Sequence, residues 1–344
     1  MFIRFLIAFI FLLSLPAYAS AAENREAMDV QPIYPDNQVP TTKGYFDVDV
    51  QTGEDLTLHL RLKNNDEEPI TVRVEKANAY TSPTGGIYYK EEVNSEDTEL
   101  LEDAVRLAEY ITVEESVTIP ANESLDLPVQ VSIPEVDGET LLGGIQVTQI
   151  EEKKEEETVT SDDEANFTVN TETTYSVAIK LNTSKISEPE FSTGQAGFIA
   201  ETAQVFLEMV NDAHLIQGEI EGTYSVLDNE GTELFTGEAG PFNMAPKSKI
   251  RHPFPWNHET LEDGDYTLVF NGRAGEQEFT AEENFTISNE AVEEYAEIIN
   301  PSPVVDQNQG IPAWIWICAI IISGAVLFLL GRRKTVSVSK ENKE

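Results

Sequence analysis

An uncharged apolar segment near the end of the chain constrains what the rest of it can be. Residues 312–330 read PAWIWICAIIISGAVLFLL and carry no charge over 19 positions. A helix of this length spans about 28 Å, close to the thickness of the hydrocarbon core of a bilayer. Typical membrane-interface anchors flank it, aromatic at its start and basic after it. They are Trp314, Trp316, Arg332, Arg333 and Lys334.

The sequence therefore predicts a single-pass protein of the cell membrane. A transmembrane helix occupies residues 312–331, and the positive-inside rule places a basic tail, residues 332–344, in the cytoplasm. The domains before the helix are then extracellular. Residues 1–22 agree, because Arg4, a short apolar run and the small residues around Ala19 form a secretory signal peptide. An uncleaved N-terminal anchor is the alternative, although this apolar run is short for a span.

Composition limits the partners of the exported part. Residues 23–331 contain 16 lysines and arginines against 60 aspartates and glutamates. This balance argues against nucleic acid and against phosphate polymers as direct partners, since phosphate binding depends on clustered cations. A dispersed acidic surface for solubility is the simplest explanation. The sole cysteine, Cys318, lies in the predicted span, so the exported domains have no disulfides and are held by apolar burial.

Short stretches of alternating apolar and polar residues recur through the exported part. The clearest places leucine at 56, 58, 60 and 62, with polar residues between, and similar stretches lie at 125–133, 175–181 and 205–209. This period of two is typical of half-buried strands. The sequence therefore predicts an all-β fold of two tandem immunoglobulin-like β-sandwich domains, residues 23–185 and residues 186–288. Gly143 and Gly144 interrupt one apolar strand, which indicates a bulge or the close approach of another backbone.

Several segments depart from this alternation. Residues 93–110 place apolar residues at helical spacing, which predicts a short helix or an irregular excursion. Residues 151–164 hold eight acidic residues and two lysines. We interpret them as a solvated hairpin tip joining the strand of Ile145 to that of Val177, with a flexible connector as the alternative. A second hairpin is expected to turn at Asn271-Gly272. Residues 289–311 indicate an acidic connector to the membrane.

The sequence carries no recognisable signature of catalysis. A nucleophile elbow, a phosphate loop and a dinucleotide fingerprint are all missing from it. His252, His258 and Glu259 could be imagined as metal ligands, but their spacing matches no zinc motif. Carboxylates are so numerous that pairs of them are not diagnostic. We therefore expect no catalytic residue, no metal and no cofactor, and a binding protein in place of an enzyme.

Tyrosines and amides concentrate in the first hundred residues of the exported part. Such residues suit stacking on sugars or contact with a protein partner. The competing interpretation is that most of these tyrosines belong to the core or to strand edges. The candidate residues for glycan or partner binding are Tyr34, Asn37, Gln38, Tyr45, Asn78, Tyr80, Tyr88 and Tyr89.

Several short motifs occur in a fixed order along the chain. In the first half they are Pro32-Ile-Tyr-Pro-Asp-Asn-Gln38, Gly44-Tyr-Phe-Asp47 and Leu142-Gly-Gly-Ile145, and in the second half Met244-Ala-Pro-Lys-Ser248 and Gly264-Asp-Tyr-Thr267. With the membrane span and basic tail, this layout resembles the WxL-interacting proteins of Gram-positive bacteria. Lys247 stands where the family resemblance leads us to expect Asn.

The resemblance implies a division of labour. The first domain would bind peptidoglycan, the second would bind host surface proteins, and the whole would assemble with secreted WxL-domain proteins on the cell wall. Our hypothesis is therefore a membrane-anchored surface scaffold whose sandwiches face the wall. The alternative is an envelope enzyme acting on glycans, or a solute-binding receptor. A convergent pocket with two carboxylates about 5 to 9 Å apart would favour the enzyme.

Overall fold

A computed structural model describes residues 27–136, 138–150, 172–258 and 260–299. The predicted signal peptide, the acidic segment 151–164, the membrane segment 312–331 and the basic tail lie outside the described residues. Within the described ranges, no helix is long and apolar enough to cross a membrane. The chain divides into two compact units, one ending at Tyr295 and one beginning at Ala296. The first unit holds all the strands given below.

The described residues form β-strands with one α-helix and two short 3₁₀ helices. The first 3₁₀ helix is Leu107–Tyr110, the second is Ala200–Thr202, and helix α1 is Asn289–Ile299. The strands are β1 (Met28–Ile33), β2 (Phe46–Asp49), β3 (Asp55–Asn64), β4 (Ile70–Thr81), β5 (Ile87–Lys90), β6 (Thr98–Leu100), β7 (Ile111–Thr112), β8 (Ser116–Ile119), β9 (Ser124–Ser132), β10 (Thr140–Ile150), β11 (Thr174–Asn182), β12 (Phe191–Ile199), β13 (Gln204–Asn211), β14 (Gln217–Leu227), β15 (Glu233–Met244), β16 (Ser248–Pro255), β17 (Gly264–Ala274) and β18 (Gln277–Ile287).

Two sheets enclose the first hydrophobic core, and we call this assembly the first sandwich. Sheet A has the order β1-β3-β9-β7, and sheet B has the order β2-β11-β10-β4-β5 with β8 also paired to β4. The predicted alternation of β3 is confirmed, because its leucines 58, 60 and 62 are buried while His59 and Arg61 are exposed. Ile145 pairs directly with Val177, so the expected antiparallel joining of these two strands is also confirmed.

Two further sheets enclose a second core, and we call this assembly the second sandwich. Sheet C has the order β12-β13-β16-β6, and sheet D has the order β15-β14-β17-β18. Strand β13 lies between β12 and β16, as its apolar sequence predicts. The core combines aliphatic side chains with many aromatic rings. Its buried aromatics are Phe191, Tyr224, Phe235, Phe254, Tyr266, Phe270 and Phe285.

Strand β6 connects the two sandwiches. It lies in the chain between β5 and the first 3₁₀ helix, both of which contact strand β4 of sheet B, yet it pairs with β16 of sheet C. The expectation for residues 93–110 is met by an irregular excursion, which contains strand β6 and ends in the short 3₁₀ helix Leu107–Tyr110. Its apolar residues divide between different environments: Leu107 enters the first core, whereas Leu100 pairs with Ser248. A continuous helix could not satisfy both.

A buried polar network holds the same junction together. The Thr81 hydroxyl lies 2.6 Å from the Ser248 hydroxyl and accepts a hydrogen bond from the Ala245 backbone N–H at 2.9 Å. The Ser248 hydroxyl donates to the Ala245 carbonyl, and the Thr98 hydroxyl donates to the Thr81 carbonyl. Buried polar groups are costly without partners, so these bonds fix the sandwiches to each other.

The two glycines of β10 mark close approach and not a bulge, since the pairing with β4 and β11 is continuous there. A Cβ on Gly143 would lie 2.9 Å from the Cβ of Leu107, and a Cβ on Gly144 would lie 3.1 Å from the ring of Tyr89. The glycines therefore let Leu107 of the first 3₁₀ helix and the ring of Tyr89 pack against opposite faces of strand β10.

The expected turn of the second hairpin at Asn271-Gly272 is wrong. The last hairpin turns at Gly275 and Glu276, since Ala274 pairs with Gln277. Gly272 lies inside β17, where it faces β14 at a distance too short for any side chain. The predicted acidic connector begins with helix α1. This helix starts where the Ser288 hydroxyl accepts the Ala291 backbone N–H, a typical N-cap arrangement.

Candidate functional site

A groove opens beside strand β4 in the first sandwich. The edge of β4 that faces away from β10 pairs with β8 over residues 70–73 and with β5 over residues 78–81. The stretch between these pairings borders a groove of about 650 Å³, between strand β5 and the first 3₁₀ helix. Its lining includes four glutamates together with cationic, amide and aromatic side chains. Those that matter below are Lys76, Asn78, Tyr80, Lys90, Arg106 and Gln146.

Asn78 holds the walls of this groove in place. Its side chain is buried, its Nδ2 donates to the Glu91 carbonyl at 2.8 Å, and its Oδ1 accepts the Ala108 backbone N–H at 3.0 Å. These bonds tie the end of β5 and the first 3₁₀ helix to β4. Gln146 donates similarly to the Tyr89 carbonyl at 2.8 Å. Asn78 is thus a structural residue of the groove, although the sequence predicts it as a contact residue.

The three tyrosines near the groove differ in their accessibility. Tyr80 is buried and its ring lies 5.9 Å from that of Tyr88. Burial raises the pKa of Tyr88, against a hydrogen bond with Thr98. Burial, with a smaller effect of Tyr45, raises the pKa of Tyr89 to about 12. The phenols of Tyr88 and Tyr89 therefore stay neutral at physiological pH, and Tyr80 is the one of the three tyrosines that lines the groove.

The other four candidate residues build a loop before strand β2. The Tyr34 hydroxyl accepts the Gly44 backbone N–H at 2.6 Å, and Asn37 donates to the Asp49 carbonyl. Gln38 uses both ends of its amide, donating to the Tyr45 carbonyl and accepting the Asp47 backbone N–H. The side-chain amides of Asn37 and Gln38 therefore form hydrogen bonds with backbone groups of the loop and of strand β2. Tyr34 is the member with a largely exposed ring, at 43%.

Asp47 fixes this loop to sheet B. Its carboxylate accepts hydrogen bonds from Thr42 at 2.9 Å and from Asn182 at 2.7 Å, and it lies 3.3 Å from the Lys180 ammonium. Burial alone would raise the pKa of Asp47, but these hydrogen bonds and the charge of Lys180 outweigh it and hold the pKa below its usual value. The eight predicted residues thus divide between a structural loop and the groove region, which meet where Tyr45 influences Tyr89.

Sequence reasoning missed the cations of the groove. Lys76 lies on the same face of β4 as Asn78, Lys90 pairs with Asn78 across the strands, and Arg106 directly precedes the first 3₁₀ helix. They are far apart in the sequence, and so many charged residues occur that none of them is conspicuous. Asn78 brings Lys90 and Arg106 to the same groove, because its side chain is hydrogen-bonded both to the residue after Lys90 and to the 3₁₀ helix that follows Arg106.

A second, shallower depression of about 600 Å³ lies on sheet D, where Gly222 and Gly272 lie opposite each other. The cation at this place, Arg273, is already paired with Glu219 at 3.0 Å and with Glu221 at 2.8 Å. Its charge is therefore satisfied within the protein.

The histidines considered as metal ligands have other surroundings. His252 is buried and its Nδ1 lies 2.8 Å from the Pro83 carbonyl, while His258 contacts Thr260. Glu259 lies outside the described residues. Across the ranges that the structure describes, no group of three or more His, Cys, Asp or Glu side chains is arranged to hold a metal ion.

Lys247 has a structural explanation in place of the expected Asn. Its backbone adopts a positive φ of 50°, a region that Asn tolerates better. Its ammonium lies 2.7 Å from Asp103 and 2.8 Å from Asp212. Burial alone would lower the pKa of Lys247, but these two hydrogen-bonded carboxylates raise it. The residue therefore ties the β6 excursion to the second sandwich by charge.

The all-β architecture carries a groove lined by amide, aromatic, cationic and acidic side chains, which suits a binding protein. Comparison with family models identifies which one: residues 28–149 match the peptidoglycan binding domain of the WxL Interacting Protein, and residues 164–297 match its host binding domain. Together these matches cover most of the chain, which therefore belongs to the WxL-interacting proteins. Both domains are binding domains, one for peptidoglycan and one for the host.

Solved structures similar to this chain include several chaperones. The CsuC-CsuE chaperone-tip adhesion subunit pre-assembly complex of Acinetobacter baumannii shares 12% identity over 76% of this chain and 100% of that chain, with a TM-score of 0.35. The E. coli chaperone DraB shares 14% identity over 76% and 95%, with a TM-score of 0.30. Pseudomonas aeruginosa CupB2 shares 11% over 70% and 97%, with a TM-score of 0.28. Comparison with curated proteins gives no match.

Proposed function

We propose that this protein is a membrane-anchored scaffold of the Gram-positive cell surface. A signal peptide exports it, the apolar segment 312–331 holds it in the membrane, and its two immunoglobulin-like domains face the wall. The first binds peptidoglycan, the second binds host surface proteins, and the whole retains secreted WxL-domain proteins. The observation that carries this proposal is the pair of family matches, which assign both sandwiches to binding domains.

The junction between the sandwiches supports a scaffold role. Strand β6 pairs with β16, and Thr81, Ser248 and Lys247 add buried hydrogen bonds and ion pairs across the same region. A wall-binding domain and a partner-binding domain joined in this way keep a fixed mutual geometry. Such a scaffold presents its second domain at a defined position relative to the wall.

Co-sedimentation tests the wall-binding part. Full-length protein in detergent is mixed with purified peptidoglycan sacculi that have been stripped of covalently attached polymers, and the sacculi are pelleted. We expect the protein in the pellet, and its release by an excess of soluble muropeptide. Protein that stays in the supernatant would refute the proposal. New reducing ends on the sacculi during the incubation would favour the glycan-acting enzyme.

Cell fractionation tests the anchor and the partner. After the wall is digested, a chain ending at residue 311 is expected in the released soluble fraction, whereas the full-length chain stays with the protoplast membranes and its exported part is cleaved by added protease. Immobilised full-length protein is expected to retain WxL-domain proteins from the secreted fraction of the same cells. Retention of the truncated chain by protoplasts would contradict the anchor, and a secreted fraction that passes through without loss of these proteins would contradict the partnership.

A further inference from the structure

Positive charge without a partner is concentrated at the groove of the first sandwich. Thirteen lysines and arginines lie in the described ranges. Eight form ion pairs with carboxylates, for example Arg61 with Asp126 and Arg273 with Glu221, and Lys185 also has an interaction partner. Among these thirteen, four have no ion pair within the described residues. They are Lys43, Lys76, Lys90 and Arg106, and the last three line the groove.

This concentration is unusual for a chain of formal charge −40. In such a chain carboxylates outnumber cations, and eight of the thirteen lysines and arginines form ion pairs with them. The three unpaired cations repel one another, and the glutamates that line the same groove offset this repulsion without forming ion pairs with them. An incoming anion would remove that repulsion and would gain charge-assisted hydrogen bonds, which are stronger than neutral ones.

The rest of the lining limits the kind of anion. Glu91, Glu92 and Glu109 border the same groove, so a polymer carrying only negative charge would be repelled by these carboxylates. A zwitterionic peptide satisfies both sets, with its carboxylates at the cations and its amino group at the glutamates. Peptidoglycan carries such peptides on its sugar chains. Tyr80 offers an apolar ring surface for the aliphatic part of the peptide.

We propose that this groove binds the peptide stem of peptidoglycan, with Lys76, Lys90 and Arg106 holding its free carboxylates. This inference rests on the proposed wall binding and assigns it to a place and a chemical group. Asn78 acts as a positioning residue, because it holds the strand end and the 3₁₀ helix that carry Lys90 and Arg106.

Calorimetry with a defined wall fragment tests the assignment. Full-length protein in detergent is titrated with a disaccharide-peptide released by a muramidase, and with the same fragment after its carboxylates are converted to amides. We expect the free carboxylate form to bind the native protein at least about tenfold more tightly than the amide form. The triple variant K76Q/K90Q/R106Q should lose this preference and bind both forms weakly.

The matched control is Lys43→Gln, which removes an unpaired cation away from the groove and should leave both affinities unchanged. Melting curves verify folding, and Lys90→Gln alone, at an exposed position, replaces the triple variant if the latter is unfolded. Equal affinity of the native and variant proteins for the free fragment would overturn the groove assignment while wall binding stands. Tighter binding of glycerol phosphate than of the peptide fragment would overturn the peptide as ligand. No binding of any wall fragment by native protein would refute wall binding itself.

Discussion

Acidification is expected to weaken the junction between the sandwiches through His252. This residue lies in β16 and is 6% exposed, with its ring stacked on Phe242 at 4.7 Å. Its Nδ1 lies 2.8 Å from the carbonyl of Pro83 in the β4–β5 loop. A carbonyl oxygen only accepts, so Nδ1 carries the proton and donates to it. Burial disfavours the charged ring, so the folded protein holds His252 as a neutral imidazole at neutral pH.

The structure gives the size and the sign of the effect. Burial lowers the pKa of His252 from 6.5 to about 4, with the Pro83 hydrogen bond acting in the opposite direction. Below pH 6.5 the unfolded chain takes up a proton at this residue, while the folded chain does not until the pH approaches 4. Stability is therefore present above pH 6.5 and is lost as the pH falls toward 4. At pH 5 the loss is about 2 kcal/mol.

Urea unfolding of the native protein and of His252→Gln, at pH 7.5 and pH 5.0, measures this loss. The variant is less stable at pH 7.5 because it loses packing, but the gap between the two proteins should narrow by about 2 kcal/mol at pH 5.0. Comparing gaps cancels the titration of the many carboxylates, which both proteins share. A constant gap for His252→Gln would refute the reasoning.

Two other perturbations examine the same junction by urea unfolding. Gly85 and Gly86 both have positive φ, but a Cβ on Gly85 would lie 2.6 Å from Phe242 whereas one on Gly86 meets nothing within 4 Å. Gly86→Ala should therefore lower the free energy of unfolding by about 1 kcal/mol, and Gly85→Ala should lower it by at least about 1 kcal/mol more. Equal losses for the two variants would contradict the contact between Gly85 and Phe242. Thr81→Val should cost about 1 to 3 kcal/mol, because it leaves the buried Ala245 N–H without an acceptor, and a loss below about 0.5 kcal/mol would show that another group replaces the hydroxyl.

The sequence predicts a strand well where one face of the strand is buried and the other is exposed to solvent. In β3 the alternation of leucine with polar residues is visible because this strand crosses a whole core in one register. Strand β6 has no such signal. Its residues Thr98, Glu99 and Leu100 form an edge strand only because β16, about 150 residues later, offers them a partner. Pairing over such a distance is a property of the fold and leaves no local period in the sequence.

Sequence composition leads to two residues of the groove lining, Asn78 and Tyr80, and misses its cations. Composition pointed to the tyrosine and amide cluster, and Tyr80 does line the groove. The side-chain amides of Asn78 and Gln38, however, form hydrogen bonds with neighbouring backbone groups. The sequence does not reveal the cations of the groove. Arg61 forms an ion pair with Asp126 and Arg106 forms none within the described residues, and this difference depends on the tertiary structure.

The strand assignments also bear on how the two domains should be divided. The host-binding match begins at residue 164 and so includes β11, yet Val177, Ile179 and Leu181 of this strand are buried in the first core. The same match excludes β6, which completes sheet C. A fragment of residues 164–297 would therefore expose the apolar face of β11 and leave the edge of β16 unpaired, two features that promote association. Size-exclusion chromatography should show aggregates for this fragment and a monomer for residues 27–299, which contain both partners of each strand. A monomeric 164–297 fragment that is as resistant to urea as the longer one would contradict this reasoning. It would mean that the second sandwich needs neither the pairing of β6 with β16 nor the burial of β11 in the first core.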